Sequence, residues 1–118
     1  MSLSDSLRWV LGEMEESQGI GIVGMDGVLV DEQKKVAEID LQMLGAEFSG
    51  LLKSAEKITE SAAAGAVTEL IAGAERSLVI LHRVSAEYFL ILVIRPDGNL
   101  GKGRFLLRRA GALLKKEL

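Results

Sequence analysis

The sequence contains an unbroken apolar run, Tyr88-Phe-Leu-Ile-Leu-Val-Ile94, which leads through the turn Arg95-Pro-Asp-Gly-Asn99 into Leu100-Gly-Lys-Gly-Arg-Phe-Leu-Leu-Arg-Arg-Ala110. A strand that is apolar on both faces must be covered on both faces, so this run predicts a central strand with helices above and below the sheet. The segment that follows has the spacing of a basic amphipathic helix. The end of the strand carries no nucleophile, metal cluster or phosphate-binding loop, which argues against the usual placement of α/β enzyme chemistry.

The composition limits the size, the compartment and the partners of the protein. With 118 residues the chain has room for one core, and we predict a single domain over residues 1–118. Its net charge of −3 argues against a nucleic acid as the main partner. The lack of cysteine favours a reducing cytoplasm. The first residues do not resemble a signal peptide and the longest apolar run has seven residues, so we expect no membrane insertion.

The first third of the chain predicts a helix and a hairpin. Ser4 is the predicted cap of a first helix that ends by Gln18-Gly19. Residues 19–24 then form a strand, Met25-Asp-Gly27 a tight turn, and residues 28–30 the hairpin partner. The charged segment 31–38 has no assignment. The apolar positions of the first helix fall on one face: Leu7, Val10, Leu11 and Met14.

The second helix and three further strands complete the pattern. Asp40 is the predicted cap of a long helix that Gly65 ends. Strands over residues 66–72, 76–84 and 88–95 follow, and the short turns between them require antiparallel neighbours. The predicted core face of the helix consists of Leu41, Leu44, Phe48, Leu51, Leu52, Ala55, Ile58 and Ala62.

The predicted fold is of the α+β class, with the order α-β-β-α-β-β-β-α. The last two strands are apolar on both faces, and one helix cannot cover both. We therefore predict a three-layer sandwich, with the long second helix on one face of the sheet and the two terminal helices on the other.

Three local patterns carry a family resemblance: Val23-Gly-Met-Asp-Gly-Val-Leu-Val30, the helix from Leu44 to Ile58 followed by Gly65, and Asn99-Leu-Gly101 running into Phe105-Leu-Leu-Arg-Arg-Ala110. Together with the element order, they resemble the Roadblock/dynein-light-chain family, and most closely its bacterial MglB-like members. The first pattern is similar to the family's V-D-x-D-G-L-x-V hairpin, although Gly24 replaces a common acidic residue and Val28 replaces the leucine. The third is similar to the family's closing N-L-G.

The resemblance implies a single five-stranded antiparallel sheet between one helix and two, which is a profilin-like arrangement. It also implies a dimer that joins two sheets edge to edge and packs second helix on second helix. Members of the family act as platforms for Ras-like GTPases, as subunits of motor complexes or as GTPase-activating partners. The family has no common catalytic residues, so the resemblance implies none here.

Two glycine-rich patterns invite a phosphate-binding interpretation, but a structural role is favoured for both. Gly19-Ile-Gly-Ile-Val-Gly24 matches G-x-G-x-x-G, but it follows a helix and precedes a hairpin turn, whereas a nucleotide fingerprint follows a strand and opens a helix. Gly98-Asn-Leu-Gly-Lys-Gly-Arg104 lacks the P-loop spacing and is better explained as a turn followed by a helix that Asn99 caps.

The inventory of reactive side chains argues against an enzyme. His82 is the single histidine and has no recognisable partner, so a structural role is favoured, and we expect no cofactor and no metal. Arg76, Arg83 and Arg104 are conceivable arginine fingers, but nothing singles one out. For the basic residues of the last helix a solvated face is favoured, with an acidic partner surface or a membrane as the alternative: Lys102, Arg104, Arg108, Arg109, Lys115 and Lys116. Its apolar residues are expected in the core: Phe105, Leu106, Leu107, Leu113 and Leu114.

Six residues of the second helix lie outside its predicted core face and predict a dimer or partner interface: Gln42, Ala46, Ser49, Gly50, Lys53 and Lys57. Small residues at this spacing let a second helix approach closely. Because glycine inside a helix costs about 0.5–1 kcal/mol relative to alanine, Gly45 and Gly50 also favour close packing. The third strand has little charge to protect its edge, so we expect a homodimer through the second helix and this strand.

We therefore predict a non-catalytic dimeric regulator or scaffold that binds a Ras-like GTPase. Whether it promotes GTP hydrolysis, by ordering the GTPase's own catalytic parts, stays open. One alternative is a homodimeric assembly module without GTPase contact. Another is a PAS- or GAF-like small-molecule sensor, which needs a pocket that the apolar sheet faces do not favour.

Overall fold

The helices and strands follow the predicted order. A computed structural model describes residues 2–118. Its elements are α1 (Leu3–Glu13), β1 (Ser17–Gly24), β2 (Leu29–Lys34), α2 (Leu41–Ser61), β3 (Glu69–Gly73), β4 (Leu78–Arg83), β5 (Tyr88–Ile94) and α3 (Leu100–Lys115). The strands form one antiparallel sheet in the order β2-β1-β5-β4-β3. The predicted fold class is thus confirmed, and the apolar strand β5 lies at the centre of the sheet.

Two hydrophobic clusters lie on opposite faces of the sheet, which confirms the predicted layers. One cluster joins the sheet to α1 and α3 through Leu7, Val10, Leu11, Met14, Ile20, Ile22, Ile80, Val84, Leu90, Leu92, Ile94, Leu106, Leu107, Ala110 and Leu114. The other joins the sheet to α2 and the chain after it through Val23, Leu41, Leu52, Val67, Val79, Leu81, Phe89, Ile91 and Val93. Alternate residues of β5 enter alternate clusters, as the pleat of a strand requires.

The caps of α2 and α3 are the predicted ones, whereas the cap of α1 is not. The side chain of Asp40 accepts a hydrogen bond from the Met43 N–H at 3.0 Å, and Asn99 accepts one from the Lys102 N–H at 3.0 Å. In α1 the cap is Ser2 rather than Ser4, because Ser2 forms a capping box with Asp5. The Ser4 hydroxyl instead donates to Asp31 Oδ2 at 2.6 Å, which ties α1 to β2.

Several boundaries differ from the prediction. α1 ends at Glu13 rather than near Gln18, and β1 begins at Ser17. The Ser17 hydroxyl donates to the Met14 carbonyl at 2.6 Å, so the chain turns sharply out of the helix there. Much of the unassigned segment 31–38 is strand, because β2 runs to Lys34. β3 begins at Glu69, three residues later than expected.

Some residues that were expected in the core are exposed. These are Leu51 and Ile58 on α2, Ala62 directly after α2, and Phe105 and Leu113 on α3. The prediction was wrong for them because apolar residues occupy more of each helix surface than the sheet covers. In α2, for example, Leu52 faces the sheet, and a step of about 100° per residue turns Leu51 away from it.

Candidate interaction surface

The outward side of α2 carries three exposed large apolar residues: Met43, Leu51 and Ile58, with exposed fractions of 49%, 51% and 71%. At about 100° per residue, the three positions fall within about 80° of one another on the helix. They extend over about 22 Å of the helix axis, and we call them the outer stripe. The outer stripe lies on the side of α2 opposite the buried Leu52.

The six predicted interface residues are not all available at the surface. Gln42, Ala46, Gly50, Lys53 and Lys57 are exposed, whereas Ser49 is buried. The Ser49 hydroxyl donates to the Ala46 carbonyl at 2.7 Å. Ser49 also packs against the hairpin turn at Gly27, where a Cβ would lie 3.2 Å from its Oγ. Ser49 therefore packs within the chain, on the flank of α2 that meets the hairpin.

The two glycines of α2 have different surroundings. A Cβ at Gly45 would lie 2.9 Å from Cγ2 of Val23, so Gly45 lets α2 approach β1 within the same chain. A Cβ at Gly50 would meet nothing within 4 Å, apart from its own helix and chain neighbours. Of the two glycines, only Gly50 therefore leaves room on the outward side of α2.

The two edges of the sheet differ in how they are protected. β3 forms one edge and pairs only with β4. Its five residues, Glu69–Gly73, include one charged side chain, and Ile71 is exposed. β2 forms the other edge and carries Asp31, Glu32 and Lys34. Because charge on an edge strand discourages pairing with another chain, β3 is the more open edge.

A set of polar contacts fixes the end of α2 and the chain that leads into β3. The Glu56 carboxylate accepts hydrogen bonds from the Val67 N–H at 3.0 Å and from Nη1 of Arg83 at 2.7 Å. The Val67 N–H first, and Arg83 second, lower the pKa of Glu56. Arg83 also donates to the carbonyls of Ser85 and Ala86, at 2.7 Å and 3.0 Å. These bonds link α2, the approach to β3 and the turn between β4 and β5.

Two of the three candidate arginine fingers are engaged within the chain. Arg83 is paired with Glu56, and Nε of Arg104 lies 2.9 Å from the carboxylate of Glu69 on β3. Its hydrogen bond to Glu69 raises the pKa of Arg104. Arg76 lies exposed in the turn between β3 and β4. Of the three, only Arg76 forms no ion pair within residues 2–118.

The remaining sequence candidates occupy structural positions. His82 is half-buried beneath α3, where a Cβ at Gly111 would lie 2.8 Å from its ring. Burial is the main cause that lowers the pKa of His82. Gly19, Gly21 and Gly24 all lie in β1, so they form no phosphate-binding loop. Residues 2–118 hold no cluster of three side chains suited to a metal ion.

Two shallow depressions are open to solvent. One, of about 280 Å³, lies between the hairpin turn and the turn before β5 and is lined by Gly24, Met25, Asp26, Ala86, Glu87 and Tyr88. The other, of about 230 Å³, runs along α2 and is lined by Lys53, Glu56, Lys57 and Glu60. Neither resembles the enclosed apolar pocket that a small-molecule sensor needs. In the part of the chain from Ser2 onward, every helix is too short or too polar to cross a bilayer.

The sheet order, the three layers and the exposed α2 define a Roadblock-like fold, and solved structures share it. The chain is 34% identical to MglC from Myxococcus xanthus, with all of both chains covered and a TM-score of 0.70. Myxococcus xanthus MglB is 13% identical over 98% of this chain and 93% of its own, with a TM-score of 0.88. A Roadblock/LC7 domain from Streptomyces avermitilis is 9% identical over 99% and 98%, with a TM-score of 0.89.

The likeness to MglC extends from fold to sequence over the full length of both chains. The chain accordingly belongs to the Roadblock/LC7 family, together with MglC and MglB. Its relatives support a scaffold or regulator of the Roadblock type. No protein-family model and no curated protein matches the sequence.

Proposed function

We propose that this protein is a homodimeric, non-catalytic regulator or scaffold that binds a Ras-like small GTPase in the bacterial cytoplasm, with residues 1–118 as its single domain. Membership of the Roadblock/LC7 family supports the regulator or scaffold role. The observation that carries the dimer is the outer stripe of α2. Single exposed apolar residues are common on protein surfaces, but three aligned on one helix are typical of an interface.

In the proposed dimer, α2 packs against α2 of a second copy, and β3 pairs with β3 of that copy. The outer stripe supplies the apolar contact, and Gly50 leaves room for a close approach of the two helices. The edge of β3 supplies unpaired backbone donors and acceptors with little charge to oppose pairing. One two-fold axis serves both contacts, as expected for an isologous interface.

The proposed GTPase site is the broad surface that the two α2 helices form together. A standard interface buries about 800 Å² of the surface of each partner. A dimer offers a continuous surface of that size more easily than one small domain does. Exposed Lys53 and Lys57 flank the outer stripe and would attract an acidic partner. Because one GTPase at the two-fold axis blocks a second, we expect two copies of this chain per GTPase.

If the protein promotes GTP hydrolysis by its partner, we propose that it does so by ordering the GTPase's own catalytic residues. The pairing of Arg83 with Glu56 and of Arg104 with Glu69 supports this version over an arginine supplied from either of these two positions. For the isolated chain we expect neither GTP nor ATP hydrolysis, and no tight nucleotide binding. One-to-one nucleotide binding at micromolar concentration, measured by calorimetry, would instead favour an enzyme or a sensor.

The direct test is titration of the purified chain with a Ras-like GTPase encoded beside it in the genome, loaded with GDP or a GTP analogue. We expect a complex of two chains to one GTPase in one nucleotide state. Lys53→Glu with Lys57→Glu should slow association, and the difference should shrink as salt rises. Arg8→Glu with Arg95→Glu carries the same charge change outside α2 and serves as the control.

Other outcomes discriminate between the alternatives. A stable dimer that binds the GTPase in neither nucleotide state would favour an assembly module held by other proteins. A complex with one chain per GTPase that is indifferent to the lysine changes would place the partner on another face.

A further inference from the structure

The outward side of α3 is uniformly basic. Five cationic side chains are exposed on it, and we call them the basic arc: Lys102, Arg108, Arg109, Lys115 and Lys116. At about 100° per residue they span about 140° of the helix surface and about 21 Å of its axis, opposite the buried Gly103 and Leu114. The sequence from Leu100 to Lys116 contains no acidic residue. Within residues 2–118, none of the five cations forms an ion pair.

An aromatic side chain stands within the basic arc. Phe105 is 45% exposed. Its neighbours three and four positions away on the helix surface are Lys102, Arg108 and Arg109, together with Gly101, which has no side chain. Leu113, at the edge of the arc, is 38% exposed. The arc therefore places cations on both sides of apolar area that the chain itself leaves uncovered.

The elements beside α3 oppose its charge only weakly. On α1, Asp5 is paired with Arg8 at 3.3 Å, so the two charges cancel. Beneath α3, Glu69 is paired with Arg104 at 2.9 Å. Exposed carboxylates stand at the ends of the layer: Glu13, Glu15 and Glu117. The middle of the basic arc is therefore a region of net positive charge.

We propose that the basic arc is a peripheral binding site for a bilayer that contains anionic phospholipids. The cations meet the lipid phosphates, and Phe105 enters the boundary between the headgroups and the acyl chains. A cluster of about four to eight Lys or Arg on an amphipathic helix is typical of such a site. The contact needs no membrane span, because α3 lies along the surface and keeps its apolar face in the core of the protein.

The shape of the surface favours a bilayer over an acidic protein. The basic arc lies on the convex side of one helix, and the two depressions of the molecule, near the hairpin turn and along α2, lie elsewhere. A protein partner would need an apolar pocket for Phe105 inside a ring of carboxylates. A bilayer offers anionic phosphates and an apolar layer at adjacent depths over its whole area, and its fluid lipids adjust to the side chains.

The dimer of the proposed function adds to this argument, and this step rests on that proposal. Pairing of β3 with β3 extends one sheet through both copies, so the two α2 helices lie on one face and the two α3 helices on the other. A flat bilayer can therefore contact both basic arcs at once, which raises the avidity of the dimer. The surface of α2 points away from the bilayer and stays open to the GTPase.

The test is co-sedimentation of the full chain with vesicles of phosphatidylglycerol and phosphatidylcholine, and with vesicles of phosphatidylcholine alone. We expect binding to the anionic vesicles at about 50 mM salt that is at least about tenfold weaker at about 500 mM salt, because salt screens the charges. We expect no binding to phosphatidylcholine alone. This comparison needs no variant, so it does not depend on how a variant folds.

A charge reversal locates the site on α3. Lys102→Glu with Arg109→Glu should weaken binding to anionic vesicles by at least about tenfold, since it replaces two attractive charges by repulsive ones. Both side chains are exposed, and a glutamate three residues after the cap Asn99 suits the start of a helix, so the fold is retained. Lys53→Glu with Lys57→Glu makes the same change in charge on α2 and should leave vesicle binding unchanged.

Two further variants separate the apolar contact from the dimer. Phe105→Ser should weaken vesicle binding several-fold at both salt concentrations, whereas Phe105→Trp should retain it, because both aromatic rings suit the headgroup boundary. Leu51→Asp with Ile58→Asp removes the proposed α2 dimer. It should weaken vesicle binding without abolishing it, because one basic arc remains in each chain.

The proposal is overturned if the native chain binds neither kind of vesicle, or binds both equally. It is also overturned if Lys102→Glu with Arg109→Glu leaves vesicle binding unchanged. Loss of GTPase binding in that variant, with vesicle binding intact, would assign the basic arc to an acidic protein. A chain that binds anionic vesicles through α3 but binds no GTPase would refute the proposed function and support the bilayer site.

Discussion

The two helical layers of this protein cover opposite faces of one sheet but leave different surfaces to the solvent. The α2 layer exposes the apolar outer stripe, Met43, Leu51 and Ile58. The layer of α1 and α3 exposes the basic residues of α3, with the partly exposed Phe105 and Leu113 among them. Apolar area favours a lasting contact, whereas exposed charge gives a contact that salt weakens. This difference favours α2, rather than the layer of α1 and α3, for the lasting contact of the proposed dimer.

The largest expected effect on stability tests how α2 sits on the sheet. Gly45→Ala places a methyl group 2.9 Å from Cγ2 of the buried Val23, so either α2 or the strand must shift. We expect a loss of about 1–3 kcal/mol in the free energy of unfolding, measured by urea denaturation. Gly12→Ala on α1 is the matched control, because nothing lies within 4 Å of its added Cβ. Gly12→Ala should raise the free energy of unfolding by about 0.5–1 kcal/mol. If Gly45→Ala and Gly12→Ala change this free energy equally, close packing of α2 on the sheet at Gly45 is refuted.

A second test compares ion pairs of the two layers. Arg83 and Glu56, at the end of α2, have side chains 13% and 17% exposed, whereas Arg8 and Asp5 on α1 are 65% and 54% exposed. Arg83→Ala should lower the urea midpoint clearly, because it leaves Glu56 without its charge partner and frees the turn after β4. Arg8→Ala should change it little, since exposed pairs contribute little. A larger drop in the urea midpoint for Arg8→Ala than for Arg83→Ala would contradict this ranking.

A smaller effect concerns the pH dependence of the α3 layer. Burial lowers the pKa of His82 from its ordinary value of 6.5, against the opposing effect of Glu69, while Arg108 lowers it further. The unfolded chain therefore takes up the proton first, and stability falls as the pH drops below 6.5. We expect unfolding free energy to decline between about pH 7 and about pH 5.5, and to decline less in His82→Gln. An equal decline of the unfolding free energy with pH in the native protein and in His82→Gln would contradict this expectation.

The sequence predicted the sheet well because its strands carry strong signals. β5 is apolar throughout, and the side chains of Asp40 and Asn99 form the caps that their positions indicated. The edge strand β2 was missed beyond Val30, since an exposed edge can hold charged residues without any apolar alternation. Ser4 was chosen as a cap over Ser2, although Asp5 stands three residues after Ser2, as a capping box requires.

The candidate surface was predicted less accurately than the fold. Periodicity located α2, but it could not say which part of a wide apolar arc meets the sheet. Leu51 and Ile58 were therefore assigned to the core, and Ser49 was assigned to the surface. The position of the sheet beneath Gly45 and Leu52 decides both outcomes, and that position is a long-range property of the fold.

The central claim is that the outer stripe of α2 pairs the chain with a second copy. Sedimentation equilibrium at tens of micromolar chain and about 500 mM salt, where charge contacts are screened, tests it directly. We expect a particle of twice the 12.7 kDa chain mass, reduced to a folded monomer by Leu51→Asp with Ile58→Asp. Phe105→Asp with Leu113→Asp, the same change on the other layer, should leave the dimer intact. A monomeric native protein, or a dimer that survives the α2 changes, would contradict the claim.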